Sequence, residues 1–283
     1  MTVLDSETYK LSNGTVIPKL GFGTWQIPNG DVAYNAVKDA LKVGYRHIDT
    51  ARAYENEASV GKAIKDSGIF RDEIFVTTKL PAEIKTYEGA MASFEESLKQ
   101  LDMDYVDLYI IHAPWPWNNI GKDEDAGNKE AWRALEDIYK SGRAKAIGVS
   151  NFAVHDLQNI MGGAEIKPMI NQIQYYIGYT EPEITQFSQK NDIVVEAYSP
   201  LATGDMLKNA EIKQLADKYN VTPAQLALKF VLENGLVALP KATSLGHIEN
   251  NADLGFSIND TDMKTLNAMK DPAPEHFHPE SEK

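Results

Sequence analysis

The sequence predicts an α/β fold, a (β/α)8 TIM barrel with an N-terminal β-hairpin, formed by a single domain over residues 1–283. Short runs rich in β-branched residues alternate with longer amphipathic segments, which is typical of parallel βαβ units. A doubly wound sheet usually carries Gly-x-Gly-x-x-Gly after its first strand, whereas the run from Gly21 to Trp25 lacks the third glycine. No linker-like stretch divides the chain.

The first predicted element is the hairpin, because Asn13-Gly14 separates two strand-like runs, residues 9–12 and 15–18. Pro223 suits a first helical turn, with Thr222 as its cap. Residues 270–283 are predicted to be an irregular tail that covers little of any site. The eight predicted barrel strands are residues 20–23, 45–48, 74–79, 106–112, 144–149, 169–174, 193–197 and 237–240. The predicted helices are residues 31–42, 57–67, 87–101, 129–141, 154–161, 183–190, 210–219 and 223–233.

Composition excludes several classes of protein. No apolar run approaches the ~18 residues that cross a bilayer, and residues 1–10 lack the features of a secretory signal. The chain has no cysteine, which excludes disulfides and thiolate chemistry, so we expect a cytoplasmic protein. A net charge of −13 argues against a nucleic-acid partner, and an anionic cofactor would need local positive charge at its site.

Polar side chains end most of the predicted strands. Because the carboxyl ends of the strands build the active site of a barrel, such residues are candidates for function. One of them alone is more often a solvated or salt-bridged loop residue, but seven strands with this feature predict a site on one rim. The polar residues at these strand ends are Asp49, Lys79, His112, Ser150, Asn151, Asn171, Gln172, Gln174, Tyr198, Ser199 and Lys241.

Asp49, Tyr54, Lys79 and His112 together predict acid catalysis on a carbonyl group. A Lys79 ammonium beside Tyr54 would lower the phenol pKa from its ordinary value near ~10, and Asp49 would keep the lysine charged. Tyr54 could then protonate a carbonyl oxygen while hydride arrives at its carbon, with His112 orienting that oxygen. No side chain supplies hydride, so a cofactor must.

The chain resembles an aldo-keto reductase from about residue 8 to residue 251, and within that family the microbial 2,5-diketo-D-gluconate reductase-like members. Lys79 and His112 fall where the family places two members of its catalytic tetrad. Seven motifs in order at the family's spacing make the resemblance specific. The matching motifs are Leu20–Trp25, Gly44–Ala51, Tyr54–Glu57 with Val60-Gly61, Gly148–Phe152, Asn171–Gln174, Ala197–Leu201 and Leu239–Lys241.

The resemblance implies a monomer that reduces small aldehydes or ketones with an extended NAD(P)H across the barrel mouth. Ser150, Asn151 and Gln172 would hold the carboxamide, and Tyr198 would stack on the nicotinamide. Lys241 would meet a 2′-phosphate, and Asn251 would face the adenine. Further implied cofactor contacts are Gly23, Thr24, Ser199, Leu201, Ser244 and His247.

Two departures from the family pattern bear on specificity. Ala242 and His247 stand where the family usually has Ser and Arg, and imidazole clamps phosphate less well than guanidinium. We therefore expect NADPH to be favoured through Lys241 but discrimination against NADH to be weakened, unless Thr243 and Ser244 restore it.

The second departure is Ala113, where many relatives carry Trp directly after the catalytic His. The loss of that ring would widen the substrate pocket unless Trp115 or Trp117 folds in. Trp25 and Tyr54 are expected to form an opposite, apolar wall. The predicted substrate contacts are Trp25, His112, Ala113 and Trp115.

Two other functions stay open on the sequence. A Schiff-base aldolase of the same fold would use Lys79 as its nucleophile, although pairing with Asp49 would oppose this by keeping the amine charged. A nucleotide-binding regulatory or structural protein would keep the cofactor without catalysis. No metal site is predicted, and we expect His276 and His278 to be disordered rather than metal ligands.

Overall fold

The structure, a computed structural model, describes residue 4 and residues 7–279. Eight parallel strands form one sheet in which neighbours follow chain order. The first and last strands meet through a parallel bridge between Leu20 and Ala238, and Gly21 N donates a 2.9 Å hydrogen bond to Ala238 O. The sheet therefore closes into the predicted (β/α)8 barrel.

The strands alternate with helices along the chain as predicted. The hairpin strands are β1 (Thr8–Lys10) and β2 (Val16–Pro18). The barrel strands are β3 (Phe22–Gly23), β4 (His47–Asp49), β5 (Phe75–Leu80), β6 (Val106–Ile111), β7 (Ala144–Ser150), β8 (Ile170–Gln174), β9 (Val194–Tyr198) and β10 (Val237–Leu239). The helices are α1 (Asp31–Val43), α2 (Glu57–Lys65), α3 (Tyr87–Leu101), α4 (Asp125–Lys140), α5 (Val154–Met161), α6 (Pro182–Lys190), α7 (Ala210–Lys218), α8 (Pro223–Glu233), α9 (Leu245–Ala252) and α10 (Asp260–Asn267).

The hairpin lies at the amino end of the barrel, opposite the rim. Gly14 has φ +90° in its turn, a conformation that favours glycine. The side chain of Asn13 donates a 2.9 Å hydrogen bond to Lys145 O, near the start of β7. Leu11 and Ile17 are buried beneath it, so the hairpin closes this end of the core.

The predicted strand boundaries agree with the structure to within two residues. Helix α4 begins earlier than predicted, at Asp125, because its first turn is polar and carries no apolar period. The cap of α8 is confirmed, since Thr222 Oγ1 accepts a hydrogen bond from Gln225 N. Helices α9 and α10 were not predicted because both are short and each carries only two large apolar side chains, too few to show a helical period.

The barrel strands are buried on both faces. Their outer face packs against the helices, and one close approach there requires glycine: a Cβ on Gly61 of α2 would lie 2.1 Å from Leu101 O of α3. Their inner face carries ionisable side chains as well as apolar ones. His47, Asp49, Lys79 and Glu196 are all buried, so the centre of the barrel is a polar layer inside an apolar shell.

The tail has no regular helix or strand over residues 271–278, as predicted, but it is packed. His278 stacks on Tyr179 with ring centroids 4.3 Å apart and lies 3.1 Å from Asp271. His276 is also largely covered. The prediction that these two histidines are disordered is therefore wrong. The apolar faces of Tyr176 and Tyr179, which the sequence pattern did not mark, hold the tail in place.

Within the described part of the chain, no helix is both long enough and apolar enough to cross a membrane. That residues 1–283 form one domain, and that the protein is a cytoplasmic monomer, stay predictions.

Candidate active site

The Lys79 ammonium stands at the centre of the rim, at the carboxyl end of β5, and is fully buried. It donates hydrogen bonds to Asp49 Oδ1 at 2.6 Å, to Thr50 O at 2.9 Å and to Tyr54 Oη at 3.2 Å. An ammonium has three donors, so each proton has one acceptor. The structure thus brings together three of the four side chains that the sequence predicts to act together.

The charge of Lys79 is maintained by its neighbours. Burial lowers the pKa of this amine, but the Asp49 carboxylate and the Tyr54 oxygen outweigh burial, and the net shift is upward. A charged ammonium with its three protons engaged has no lone pair for attack on a carbonyl carbon. This arrangement disfavours the Schiff-base aldolase.

The Tyr54 phenol differs from its predicted state. The sequence predicts that Lys79 lowers the phenol pKa, but the net shift is upward, because burial and Asp49 together raise the pKa by more than Lys79 lowers it. The carboxylate that keeps Lys79 charged also weakens the effect of that charge on the phenol. Tyr54 therefore holds its proton at neutral pH, which is the form that a proton donor needs. Because Tyr54 Oη accepts from Lys79, its own proton is available to a partner in the cavity.

His112 lies beside Tyr54, with the two rings edge to face and 5.6 Å apart. Burial, and then Lys79, hold the pKa of His112 well below its ordinary value. The imidazole is therefore neutral at physiological pH and carries one N–H donor. A neutral donor can orient a carbonyl oxygen without competing with Tyr54 as the acid.

The ring that replaces the missing tryptophan comes from Trp117. It packs edge to face on His112 at 5.7 Å, and Trp115 packs behind it at 4.9 Å. Trp117 and Trp25 line the cavity, whereas Ala113 and Trp115 are buried beneath the wall. Of the predicted substrate contacts, Ala113 and Trp115 therefore do not line the cavity.

A cavity of about 940 Å³ opens beside these residues and crosses the mouth of the barrel. This volume is near the upper end of the range for ligand pockets, about 300–1,000 Å³, and exceeds the needs of a small carbonyl compound. Among the described residues that line the cavity, Asp49 is the one with a carboxylate, and this carboxylate is paired with Lys79. Lys213, Lys241 and His247 line the far end. The far end therefore suits an anionic ligand, although the chain as a whole is acidic.

Between the two ends, hydrogen bonds fix three of the predicted cofactor residues. Asn151, with φ +61°, donates from Nδ2 to His112 O at 3.0 Å and accepts at Oδ1 from Tyr198 Oη at 2.7 Å. Ser150 Oγ donates to Gln172 O at 2.8 Å. These bonds hold the Tyr198 ring and the amide side chains in a defined arrangement along the cavity wall.

The structure brings most of the predicted cofactor residues to this cavity but leaves two outside it. Thr24 is buried and donates to Asp49 O at 3.0 Å, so its side chain supports the rim. Ser244 lies at the start of α9, is exposed, and forms no side-chain cap. The predicted residues that do line the cavity are Gly23, Ser150, Asn151, Gln172, Tyr198, Ser199, Leu201, Lys241, His247 and Asn251.

Sequence reasoning missed two parts of the site. The first is Glu196, which is fully buried in the polar layer, where its Oε2 accepts from Gln172 Nε2 at 3.0 Å. Its position two residues before Tyr198 on one strand was an available signal, because residues i and i+2 share a face. The second is the tail: His276, Phe277 and Pro279 line the cavity, so the prediction that it covers little of the site is wrong.

Comparison with known proteins agrees with this geometry. A sequence model of the Aldo/keto reductase family matches residues 19–271. The chain belongs to the aldo/keto reductase family. It is 44% identical to a glyoxal reductase of Bacillus subtilis over 264 residues, which covers 93% of this chain and 92% of that protein. It is 39% identical over 280 residues to a glycerol 2-dehydrogenase (NADP(+)) of Saccharomyces cerevisiae, covering 91% and 88% of the two chains.

Solved structures of aldo/keto reductases share the fold. One from Brucella melitensis is 42% identical, with a TM-score of 0.86 over 92% of this chain and 98% of that one. Family membership confirms the resemblance drawn from the motifs. It also makes the polar rim of this barrel the place to seek the family's chemistry.

Proposed function

We propose that this aldo/keto reductase reduces small aldehydes and ketones to alcohols by hydride transfer from a nicotinamide nucleotide, with Tyr54 as the general acid. The observation that carries the proposal is the hydrogen bonding of Lys79, which joins Asp49 and Tyr54 at the mouth of the cavity. Related enzymes are named for reduction of glyoxal, methylglyoxal and other aldehydes, which supports a small carbonyl as substrate.

The residues of the cavity fit the cofactor. A dinucleotide needs an extended cleft, donors and acceptors for its carboxamide, and positive charge for its phosphates. Ser150, Asn151 and Gln172 supply the polar groups near Tyr54, and Lys213 and Lys241 supply positive charge at the far end. When bound, the cofactor supplies hydride to the carbonyl carbon.

The chain's own residues then account for the proton. The carbonyl oxygen accepts a hydrogen bond from Tyr54 and one from His112, which polarises the C=O bond. As the carbon gains the hydride, the carbonyl π pair moves to oxygen, and that oxygen takes the Tyr54 proton. Lys79 stabilises the phenolate left behind, and water then returns a proton to it. The product is an alcohol.

The far end of the cavity supports NADPH as the favoured cofactor, with weak selection against NADH. Lys241 and His247 both line this end. We propose that Lys241 binds a 2′-phosphate and that His247 binds it less well than an arginine, which clamps phosphate bidentately. Ser244 does not line the cavity, so we propose that it does not restore the missing selectivity.

A steady-state screen tests the proposed function. NADPH oxidation is followed by nicotinamide absorbance with glyoxal, methylglyoxal and a panel of aldehydes. We expect turnover by the wild-type enzyme and a loss of about 10²–10⁴-fold in kcat for Tyr54→Phe, the usual contribution of general acid catalysis. Unchanged NADPH affinity of the variant is the control. Turnover that is undiminished without the hydroxyl refutes Tyr54 as the acid, and absence of turnover in the wild type favours a non-catalytic nucleotide-binding protein.

A further inference from the structure

Glu196 is a buried carboxyl group that the proposed mechanism does not use. Residues Gln172 of β8 and Glu196 of β9 are partners in the strand register, so their side chains share the inner face of the barrel. Glu196 Oε2 accepts a hydrogen bond from Gln172 Nε2, and Glu196 Oε1 lies 3.6 Å from His47 Nε2. The two contacts connect Glu196 to both sides of the polar layer.

The orientation of the Gln172 amide follows from its neighbours. Its nitrogen lies 2.9 Å from Asp49 Oδ2 and 3.0 Å from Glu196 Oε2. Both of these atoms are acceptors, and an amide nitrogen has two hydrogens to give. The amide NH₂ is therefore fully engaged within the barrel, which leaves the amide oxygen for a donor in the cavity that Gln172 lines.

The position of a proton on Glu196 follows from His47. The Nδ1 atom of His47 lies 3.3 Å from Pro18 O, a carbonyl that can only accept, so Nδ1 carries the hydrogen. His47 Nε2 and Glu196 Oε1 face each other at 3.6 Å, beyond hydrogen-bond distance, and two bare lone pairs would repel there. We therefore infer that one of these two groups carries a proton. It resides on the carboxyl or on the imidazole.

Burial decides between the two positions. His47 and Glu196 are fully buried, and separating charge there costs more than keeping both groups neutral. Burial lowers the pKa of His47 to about 4, and burial, reinforced by Asp49, raises the pKa of Glu196 to about 8. The charged or titratable groups that face Glu196 are Asp49 and His47 on β4 and Lys79 on β5. A neutral imidazole and a protonated carboxyl therefore meet.

We propose that Glu196, with its carboxyl protonated, is a positioning residue that holds the Gln172 amide with its oxygen toward the cavity, ready to accept from the cofactor carboxamide. The identity of the ligand, the cofactor carboxamide, rests on the proposed function, but the protonation of Glu196 does not. An isosteric Glu196→Gln variant mimics the protonated carboxyl, since its amide donates to His47 Nε2 and accepts from Gln172. Glu196→Leu removes the acceptor.

The first measurement is infrared difference spectroscopy of the cofactor-free protein at pH 6.5. We expect a protonated-carboxyl C=O band in the wild type that is absent from Glu196→Gln. Glu136→Gln is the matched control, because Glu136 is buried on the outer helix α4, where it accepts from Ile166 N. A wild-type spectrum in which the Glu196 substitution removes no such band overturns the inference, since the carboxyl would then be ionised.

The second measurement is nucleotide binding, followed by quenching of tryptophan fluorescence without substrate. We expect Glu196→Gln to bind NADPH within about twofold of the wild type, and Glu196→Leu to bind it about fivefold to tenfold more weakly, the loss of one neutral hydrogen bond. The 3-acetylpyridine analogue of NADPH lacks the carboxamide NH₂, so its Kd should be nearly equal in the wild type and in Glu196→Leu.

Equal weakening of both nucleotides by Glu196→Leu, or no weakening of either, overturns the positioning role. Failure of the proposed function is distinguishable from this result. If the wild type binds no NADPH, or if Tyr54→Phe turns over normally, the cofactor or the acid is wrong, while the infrared result still decides where the proton on Glu196 lies.

Discussion

Removal of the Asp49 charge tests the core of the site most directly. The Asp49→Asn variant keeps the shape of the side chain but leaves the Lys79 ammonium buried without its counter-ion, 2.6 Å from a neutral oxygen. Removal of one partner from a buried ion pair costs about 3–5 kcal/mol, because the remaining charge is neither solvated nor paired. Lys79→Met leaves the Asp49 carboxylate buried and should cost about as much.

The double variant Asp49→Asn/Lys79→Met carries no buried charge at this position. We expect the double variant to lose less unfolding free energy than the two single losses added together, by a coupling energy of at least about 2 kcal/mol. The assay is urea denaturation at pH 7, followed by far-ultraviolet circular dichroism, for the wild type and the three variants. Additive single losses, within about 0.5 kcal/mol, would show that the two residues do not depend on each other and would refute the argument for Lys79.

The pH dependence of Asp49→Asn supplies an internal check. Without the carboxylate, burial would depress the pKa of Lys79, so the folded variant would hold fewer protons than the unfolded chain. Stability then rises with pH between the folded and unfolded values. The loss caused by Asp49→Asn should therefore be smaller at pH 10 than at pH 7. A loss that is constant or larger at pH 10 contradicts a buried, unpaired ammonium.

Trp117→Ala should raise KM for small carbonyl substrates about tenfold with a smaller change in kcat, because it removes an aromatic wall of the pocket. Trp115→Phe is the control. An equal rise in KM in the two variants would contradict the assignment of Trp117 to the wall. His247→Arg should increase the ratio of kcat/KM for NADPH to that for NADH at least about tenfold, since guanidinium clamps a phosphate bidentately, and an unchanged ratio would place position 247 away from the phosphate. Glu196→Gln should make the stability of the cofactor-free protein less sensitive to alkaline pH. In the wild type the pKa of Glu196 is raised from 4.5 to about 8 by folding, so between these two pH values the folded state holds a proton on Glu196 that the unfolded chain has lost. The wild type therefore loses up to about 5 kcal/mol of stability as the pH rises from 4.5 to 8. Urea denaturation at pH 5 and pH 9 measures this difference, and parallel losses in both proteins would count against a protonated Glu196.

The fold was predictable because the alternation of strands and helices is a local pattern. Most of the barrel strands are short runs that include β-branched residues, and seven of the eight carry, at or next to their carboxyl end, a polar residue that marks the rim. The errors lie where the pattern is weak. Helix α9 packs against α1 and α8, and those contacts stabilise it more than its own sequence does. The tail is likewise fixed by stacking on Tyr176 and Tyr179, which lie far from it in the chain.

The structure brings together side chains that the sequence grouped, but the direction of one pKa shift differs from the prediction. Asp49, Lys79 and Tyr54 could be grouped from their motif positions, and their contacts agree with that grouping. The pKa of Tyr54 could not be derived in the same way, because it depends on the balance of burial, one positive charge and one negative charge at known distances. Trp117 illustrates the same limit, since the sequence offered two tryptophans and only the packing distinguishes them.

Charge neutrality links the residues that were predicted to the one that was missed. The polar layer contains two carboxyl groups, Asp49 and Glu196, but one buried ammonium, Lys79, with His47 as the fourth ionisable group. Because burial keeps His47 neutral, a layer that held both carboxylates ionised would carry an uncompensated negative charge, which the low-dielectric interior penalises heavily. One carboxyl must therefore be neutral. Asp49 bonds directly to Lys79, whereas Glu196 faces a neutral imidazole and an amide, so the proton belongs to Glu196. The same condition explains the expected behaviour of the variants. Removal of the charge at Asp49 or at Lys79 alone leaves a net charge in the buried layer and should destabilise the protein, whereas removal of both charges leaves the layer neutral and should cost less.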